Sequence, residues 1–229
     1  MKKIFLFLEK KIPSRLTIRQ WLLISSMFSL SLLTVRTITT GRLSYVFLAW
    51  NLFLASVPYF ISTWLGKHPA ILRNRMKLFL SIFLWLLFMP NSFYILTDLF
   101  HLDTMGNGHP WFDLTLILSF AWNGILFGTL SIRKMELLLK KTKGKFISGF
   151  VICTVMWLNA FGIYIGRFLR FNSWDIIANP FSLLSDVANM FFNPFDYRYE
   201  WGMSFCFAFF MIIIYYTMKK LPDAFRNGG

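Results

Sequence analysis

Acids are scarce in this sequence: ten Asp and Glu stand against twenty-four Lys and Arg, for a net charge of +14. Such an excess invites a nucleic-acid reading, but a nucleic-acid binder gathers its basic residues on one continuous face beside groups that read bases. Here they are dispersed among short segments between apolar runs, which makes them topology determinants and lipid-headgroup contacts and argues against nucleic acid as a partner. Cysteine is nearly missing as well. Cys153 and Cys206 lie in different apolar runs, at bilayer depths about 12 Å apart, so a disulfide between them is excluded. No Cys/His spacing of a structural zinc site occurs, and no internal repeat or low-complexity tract is visible. The basic stretch before the first long apolar segment lacks the small-x-small site of a cleavable signal peptide, so membrane entry is expected through the first spanning helix itself. The central parts of the long apolar runs carry no Asp, Glu, Lys, Arg or His, which removes the usual carriers of a proton relay or a coupled-ion path.

What is present is apolar surface. At 56% hydrophobic and 20% aromatic residues, with a mean hydropathy of +0.56, the chain is too apolar for a water-soluble domain, and a bilayer is its natural solvent. Six stretches are long enough to cross roughly 30 Å of hydrocarbon: Ile18 to Val35, Leu43 to Leu65, Met76 to Thr97, Phe112 to Ile132, Phe146 to Gly166 and Trp201 to Met218. The expected fold is an all-α integral membrane protein, a single six-transmembrane-helix bundle over residues 1–229. The run Ile4 to Leu8 is too short to cross and, set among Lys2, Lys3, Lys10 and Lys11, reads as an interfacial anchor.

Basic residues set the orientation. Nineteen fall in the amino-terminal segment, the second and fourth loops and the tail, and five (Arg36, Arg42, Arg167, Arg170 and Arg198) fall on the other side. That alternation predicts both termini in the cytoplasm. The acids show the reverse bias: seven lie outside and only Glu9, Glu136 and Asp223 inside. Acids contribute little to orientation, so their outer excess needs another explanation. Between the fifth and sixth spans, Asn179-Pro180 reads as a cap and first helical residue. Phe181, Leu184, Val187, Ala188 and Phe191 then share one face, with Ser182, Ser185, Asp186 and Asn189 opposite, which predicts an amphipathic helix over about 180–192 on the outer surface.

The polar residues near the outer ends are the candidates for chemistry. At 100° per residue, Asn91, Tyr94, Asp98 and His101 form one stripe at the end of the third span, just above Pro90, which frees the carbonyl of Leu86. Asp98 and His101 are three apart, so they could share a divalent metal, or the acid could orient the imidazole as a general base; an interfacial Asp-His hydrogen bond is the plainer alternative. Asp103, His109 and Asp113 lie in or beside the following loop. Gly124 and Gly128 share a face with Asp113 and read as close helix packing. On the fifth span, Asn159, Gly166 and Arg170 fall on one stripe with Arg167 at its edge. Those arginines either pair with the outer acids or hold a phosphate or carboxylate ligand. Asn172 or Ser173 is placed to cap a helix with Asp175 in its first turn. Asn51, Asn91, Asn123 and Asn159 sit at similar depth, one on each of spans two to five. They are either interhelical hydrogen bonds or the floor of a cavity open to the outside.

Trp50-Asn51-Leu-Phe-Leu-Ala-Ser-Val-Pro58, Trp85, Met89-Pro90-Asn91-Ser-Phe-Tyr94-Ile-Leu-Thr97-Asp98-Leu-Phe-His101-Leu, Trp111-Phe-Asp113, and Gly162-Ile-Tyr164-Ile-Gly166-Arg167-Phe-Leu-Arg170-Phe-Asn172-Ser173-Trp174-Asp175 together resemble the bacterial membrane family called domain of unknown function 1361. The resemblance implies a bacterial multi-pass inner-membrane protein and brings no activity with it. From the residues themselves three functions stay open. One is a hydrolase or transferase acting on lipid-linked or anionic headgroup substrates, with Asp98, His101 and Asp113 as metal ligands or acid and base and Arg167 and Arg170 as the anion clamp. A second is a binding or transport protein for a small polar or anionic ligand held by Asn51, Asn91, Tyr94, Asn123, Asn159, Arg167, Arg170 and Asp175. A third makes the same polar set a network that holds the bundle and serves a partner protein. Membrane lipids are expected partners in all three.

Overall fold

The computed structural model describes residues 16–101, 109–169, 171 and 178–227. All regular structure among them is helical, and six helices are long and apolar enough to cross a membrane. The elements are α1 (Ile18–Thr40), α2 (Phe47–Lys67), the short α3 (Pro69–Arg73), α4 (Arg75–Tyr94) continued by a 3-10 segment (Ile95–His101), α5 (Pro110–Lys143), α6 (Lys145–Arg167), α7 (Pro180–Phe192) and α8 (Arg198–Asn227).

Local sequence explains most of the boundaries. Thr17 and Gln20 form a capping box that starts α1, and Gly41 ends it at φ +63°, a left-handed conformation that costs glycine nothing. Asn74 caps α4 by accepting a hydrogen bond from the backbone of Lys77. Pro110 opens α5 at its first position, where no N–H is needed. Gly144, at φ +83°, separates α5 from α6. Three helices outrun the stretches read from hydropathy: α1 continues beyond Val35 to Thr40, α5 continues beyond Ile132 to Lys143, and α8 continues beyond Met218 to Asn227. Apolar content marks where a helix meets hydrocarbon, while the helix itself stops only where its backbone hydrogen bonds stop.

α5 is the centre of the bundle. In its most apolar stretch 61% of residues are buried, against 22% in α1 and in α8. It packs against α1, α2, α4 and α6, and two apolar cores lie around it. One gathers Trp85, Met89, Phe93, Ile132, Met156 and Tyr215 from α4, α5, α6 and α8. The other gathers Leu22, Leu33, Leu48, Leu52, Ile117 and Phe120 from α1, α2 and α5. Outward faces carry side chains suited to lipid, such as Met27 and Phe28 on α1 and Phe205 and Phe209 on α8.

Lipid tails are as apolar as leucine, so helix association in a membrane depends on tight packing and interhelical hydrogen bonds. Both are present. The Trp85 indole donates to Ser131 Oγ at 2.8 Å, Ser131 donates to the Pro58 carbonyl at 2.8 Å, and Ser92 donates to the Ala55 carbonyl at 2.8 Å, which ties α2, α4 and α5. Gly124 and Gly128 let α4 approach: a Cβ at Gly124 would sit 2.5 Å from the Ser92 carbonyl, and one at Gly128 would sit 2.8 Å from the Phe93 ring. α7 is fastened through Met190, which is buried, and through the Trp201 ring, whose Nε1 donates to the Met190 carbonyl at 3.3 Å. Trp201 in turn stacks on Phe161 of α6, with ring centroids 5.6 Å apart.

Candidate ligand-binding site

α2, α4 and α6 enclose a cavity of about 590 Å³. Its polar side chains are Asn51, Asn91, Tyr94, Asp98 and Arg167, and its remaining wall is apolar, including Leu54, Phe83, Leu87 and Leu158. Phe171 and, from α7, Leu183 also line it. The 3-10 segment carries Asp98 from the end of α4 to a position where it is 1% exposed. There its Oδ2 accepts from Asn51 Nδ2 at 3.0 Å, and Arg167 Nη1 faces its Oδ1 at 3.4 Å. The guanidinium is steadied by the Tyr94 and Phe100 rings, each with its centroid 5.8 Å from Cζ, inside the range of a cation–π contact. Asn91 turns its amide onto the Phe88 carbonyl at 3.1 Å and still lines the cavity.

Glycine makes the close approach of α6 to α4 feasible at this point. A Cβ on Gly162 would lie 2.7 Å from Pro90 Cγ, and one on Gly166 would lie 3.3 Å from the Tyr94 ring. Pro90 thus presses its ring against bare backbone, and that contact brings Arg167 over to Asp98.

The remaining candidates separate. Asp113 is not part of this cavity: Arg36 Nε and Nη2 reach its two oxygens at 2.5 and 2.9 Å, and Tyr45 donates to it at 3.4 Å. Both partners of this forked pair are buried, with Arg36 at 5% and Asp113 at 4%. The convergence of Asp113 with Asp98 expected from sequence is replaced by this pairing because α1 continues past Val35 and carries Arg36 inward. Burial raises the pKa of Tyr45, and the neighbouring Asp113 charge raises it further, so the phenol stays a neutral donor. The asparagine layer divides too. Asn123 clamps α1, donating to Ser29 Oγ at 2.9 Å and to the Ser25 carbonyl at 3.2 Å. Asn159 is fully buried away from the cavity, and neither amide atom has a hydrogen-bond partner among the described residues. Arg170, Asn172, Ser173, Asp175 and Asp103 lie outside the described residues, as does the side chain of His101.

The donor set bears on a metal. No group of three or more His, Cys, Asp or Glu that could hold a metal ion occurs among the described residues. Asp98 itself faces an amide N–H and a guanidinium, both hydrogen-bond donors, which is a poor surrounding for a cation. Sequence reasoning missed Arg36 and Tyr45 as partners of Asp113, and the available signal was Arg36 itself, an arginine on the side that the positive-inside bias leaves nearly bare. It also missed the apolar wall below Asn91. Trp50, directly beside Asn51 in the motif, pointed toward it.

No curated protein and no solved structure matches the chain. The family model described as Protein of unknown function (DUF1361) matches residues 50–214, a span that contains every cavity residue of α2, α4 and α6 except Phe47, and the chain belongs to that family.

Proposed function

We propose that this protein binds a membrane amphiphile in the cavity between α2, α4 and α6, its polar head against Asp98, Arg167, Asn51, Asn91 and Tyr94 and its tail along Leu54, Leu87, Phe83 and Leu158. The observation that carries this reading is the segregation of the wall, with polar side chains at one end and apolar ones along the rest. From Asp98 down to Phe83 the cavity follows α4 for roughly 22 Å. About 590 Å³ over that length leaves a cross-section of about 27 Å², the width of one hydrocarbon chain. Phe83 and Trp50 are 45% and 53% exposed, so the groove is accessible from the lipid side, and a ligand can enter without crossing water. Arg167 suits a phosphate, and Asp98 with the two asparagines suits hydroxyls.

Binding is favoured over hydrolysis or transfer because the second carboxylate, Asp113, is held by Arg36 and Tyr45, leaving Asp98 as the acid at the head among the described residues. The protein sits, in this reading, in the bacterial inner membrane as one domain with both termini cytoplasmic, supported by the distribution of Lys and Arg. The polar end of the cavity then faces outward, and α7 lies as an amphipathic helix at the outer surface above it, near Leu183. Reporter fusions after Lys143 and after residue 196 test the orientation: activity of a cytoplasmic reporter at the second site would refute it.

The binding test is mass spectrometry of lipid co-purifying with wild type, with Leu87→Trp, which fills the tail groove, and with Asn91→Ala, which alters the head end. Wild type should retain a stoichiometric amphiphile, and Leu87→Trp should lose most of it. Equal retention by all three proteins would refute the reading.

A further inference from the structure

At the opposite end of the bundle, where Lys and Arg concentrate, one acid organises a cationic centre between α5 and α8. Glu136 is 2% exposed. Its Oε1 accepts from Lys219 at 2.6 Å and is 3.2 Å from Lys140 Nζ, and its Oε2 accepts from Arg133 at 2.5 Å and from the Tyr215 hydroxyl at 2.6 Å. Two carboxylate oxygens offer about four acceptor positions, and these four donors account for them. A single cation would have balanced the acid. Three converge, so among the described residues two positive charges remain uncompensated at one place, and together they carry more N–H groups than Glu136 can accept.

The three cations are not equivalent. Lys219 is largely enclosed, with its side chain 17% exposed, and with Tyr215 it suffices to satisfy Glu136. Arg133 and Lys140 are 38% and 28% exposed and present their remaining surface outward. Exposed apolar surface lies beside them on the same two helices: Leu137 on α5, four residues after Arg133 and three before Lys140, and on α8 the ring of Tyr216, whose centroid is 4.9 Å from Lys219 Nζ. Cations at the level of a headgroup, beside apolar surface at the level of an acyl chain, match the two halves of a phospholipid.

We propose that Arg133, Lys140 and Lys219, held together by Glu136, form a binding site for the phosphate of an anionic phospholipid, with Leu137 and the Tyr216 ring against the start of its acyl chains. The site is separate from the cavity around Asp98 and does not depend on that cavity's ligand. Lys219 and Tyr215 keep Glu136 paired when the outer two cations are removed, so Arg133→Gln/Lys140→Ala is expected to fold.

The test is the thermal midpoint of the full chain in detergent, titrated with phosphatidylglycerol, with phosphatidylcholine, or with inorganic phosphate. Wild type should be stabilised by phosphatidylglycerol and unaffected by phosphatidylcholine. Each removed cation should weaken the apparent affinity for phosphatidylglycerol about fivefold, so the double variant should need roughly 25-fold more lipid. Lys140→Arg should recover wild-type behaviour, and Lys220→Ala, at a side chain 77% exposed and 3.7 Å from Asp223, should match wild type. Undiminished stabilisation of the double variant, or equal stabilisation by phosphatidylcholine, would overturn the proposal. Equal stabilisation by inorganic phosphate alone would overturn the assignment to a lipid.

Discussion

Replacing Asp113 by Asn leaves a guanidinium buried without its counter-charge. Arg36 is 5% exposed and spends two N–H groups on Asp113, and Tyr45 offers it no negative charge while its phenol stays neutral. Removing one partner of such a pair costs about 3–5 kcal/mol, because the desolvation of the survivor is no longer offset. Replacing both by apolar residues of similar size costs little, since the penalty disappears with the charges. Asp113→Asn should therefore lower the thermal midpoint in detergent by roughly 6–20 °C, Arg36→Met should do much the same, and Arg36→Met/Asp113→Leu should recover most of the loss. The double variant should also retain any amphiphile bound by wild type, because neither residue lines the cavity. A midpoint for Asp113→Asn within about 2 °C of wild type would refute the reasoning about burial. Loss of bound amphiphile from a double variant of restored stability would return Asp113 to the site.

Gly162→Ala should cost about 1–3 kcal/mol, because its Cβ would meet Pro90 Cγ at 2.7 Å, and it should weaken amphiphile retention by spreading α6 from α4. Gly66→Ala, with open space around the added methyl group, should be neutral or stabilising in the same melting assay. The folded-state pKa of Tyr45 lies above its ordinary value of 10.0, so its contribution to stability is complete below that value and is lost as pH rises through the raised one. Thermal midpoints of wild type and Tyr45→Phe should accordingly run parallel up to about pH 10 and converge above it; parallel curves throughout would refute the assignment.

The six spans are legible because hydrocarbon thickness imposes a length that hydropathy can count, and the helices start and stop within a few residues of those runs except at α1, α5 and α8. Those extensions hide two ion pairs, Arg36 with Asp113 and Glu136 with Lys219. Glu136 reads as a loop acid when the fourth span is ended at Ile132, although it is the lone acid in the run from Arg133 to Lys145, which is the pattern a buried counter-charge leaves. Arg36 to Asp113 is a contact across 77 positions, and no local periodicity reports it. At the cavity, the stripe of Asn91, Tyr94 and Asp98 follows from helical geometry alone, and Arg167 is legible as an arginine that needs an anion. The choice of Asn51 over Asn123 and Asn159 is not legible. Depth along a helix can be counted, but the direction each amide faces depends on how neighbouring helices are rotated.

The length of α5 sets a scale for the whole molecule. Its first buried acid, Asp113, and its last, Glu136, are 23 residues apart on one continuous helix, a rise of roughly 35 Å, slightly more than the hydrocarbon of an average bilayer. Each acid is locked to basic groups on a neighbouring helix, α1 at one end and α8 at the other. The central rod is thus pinned at both rims, and its polar anchors resist sliding along the membrane normal. A thinner bilayer should tilt this protein as a unit rather than shear its helices past one another.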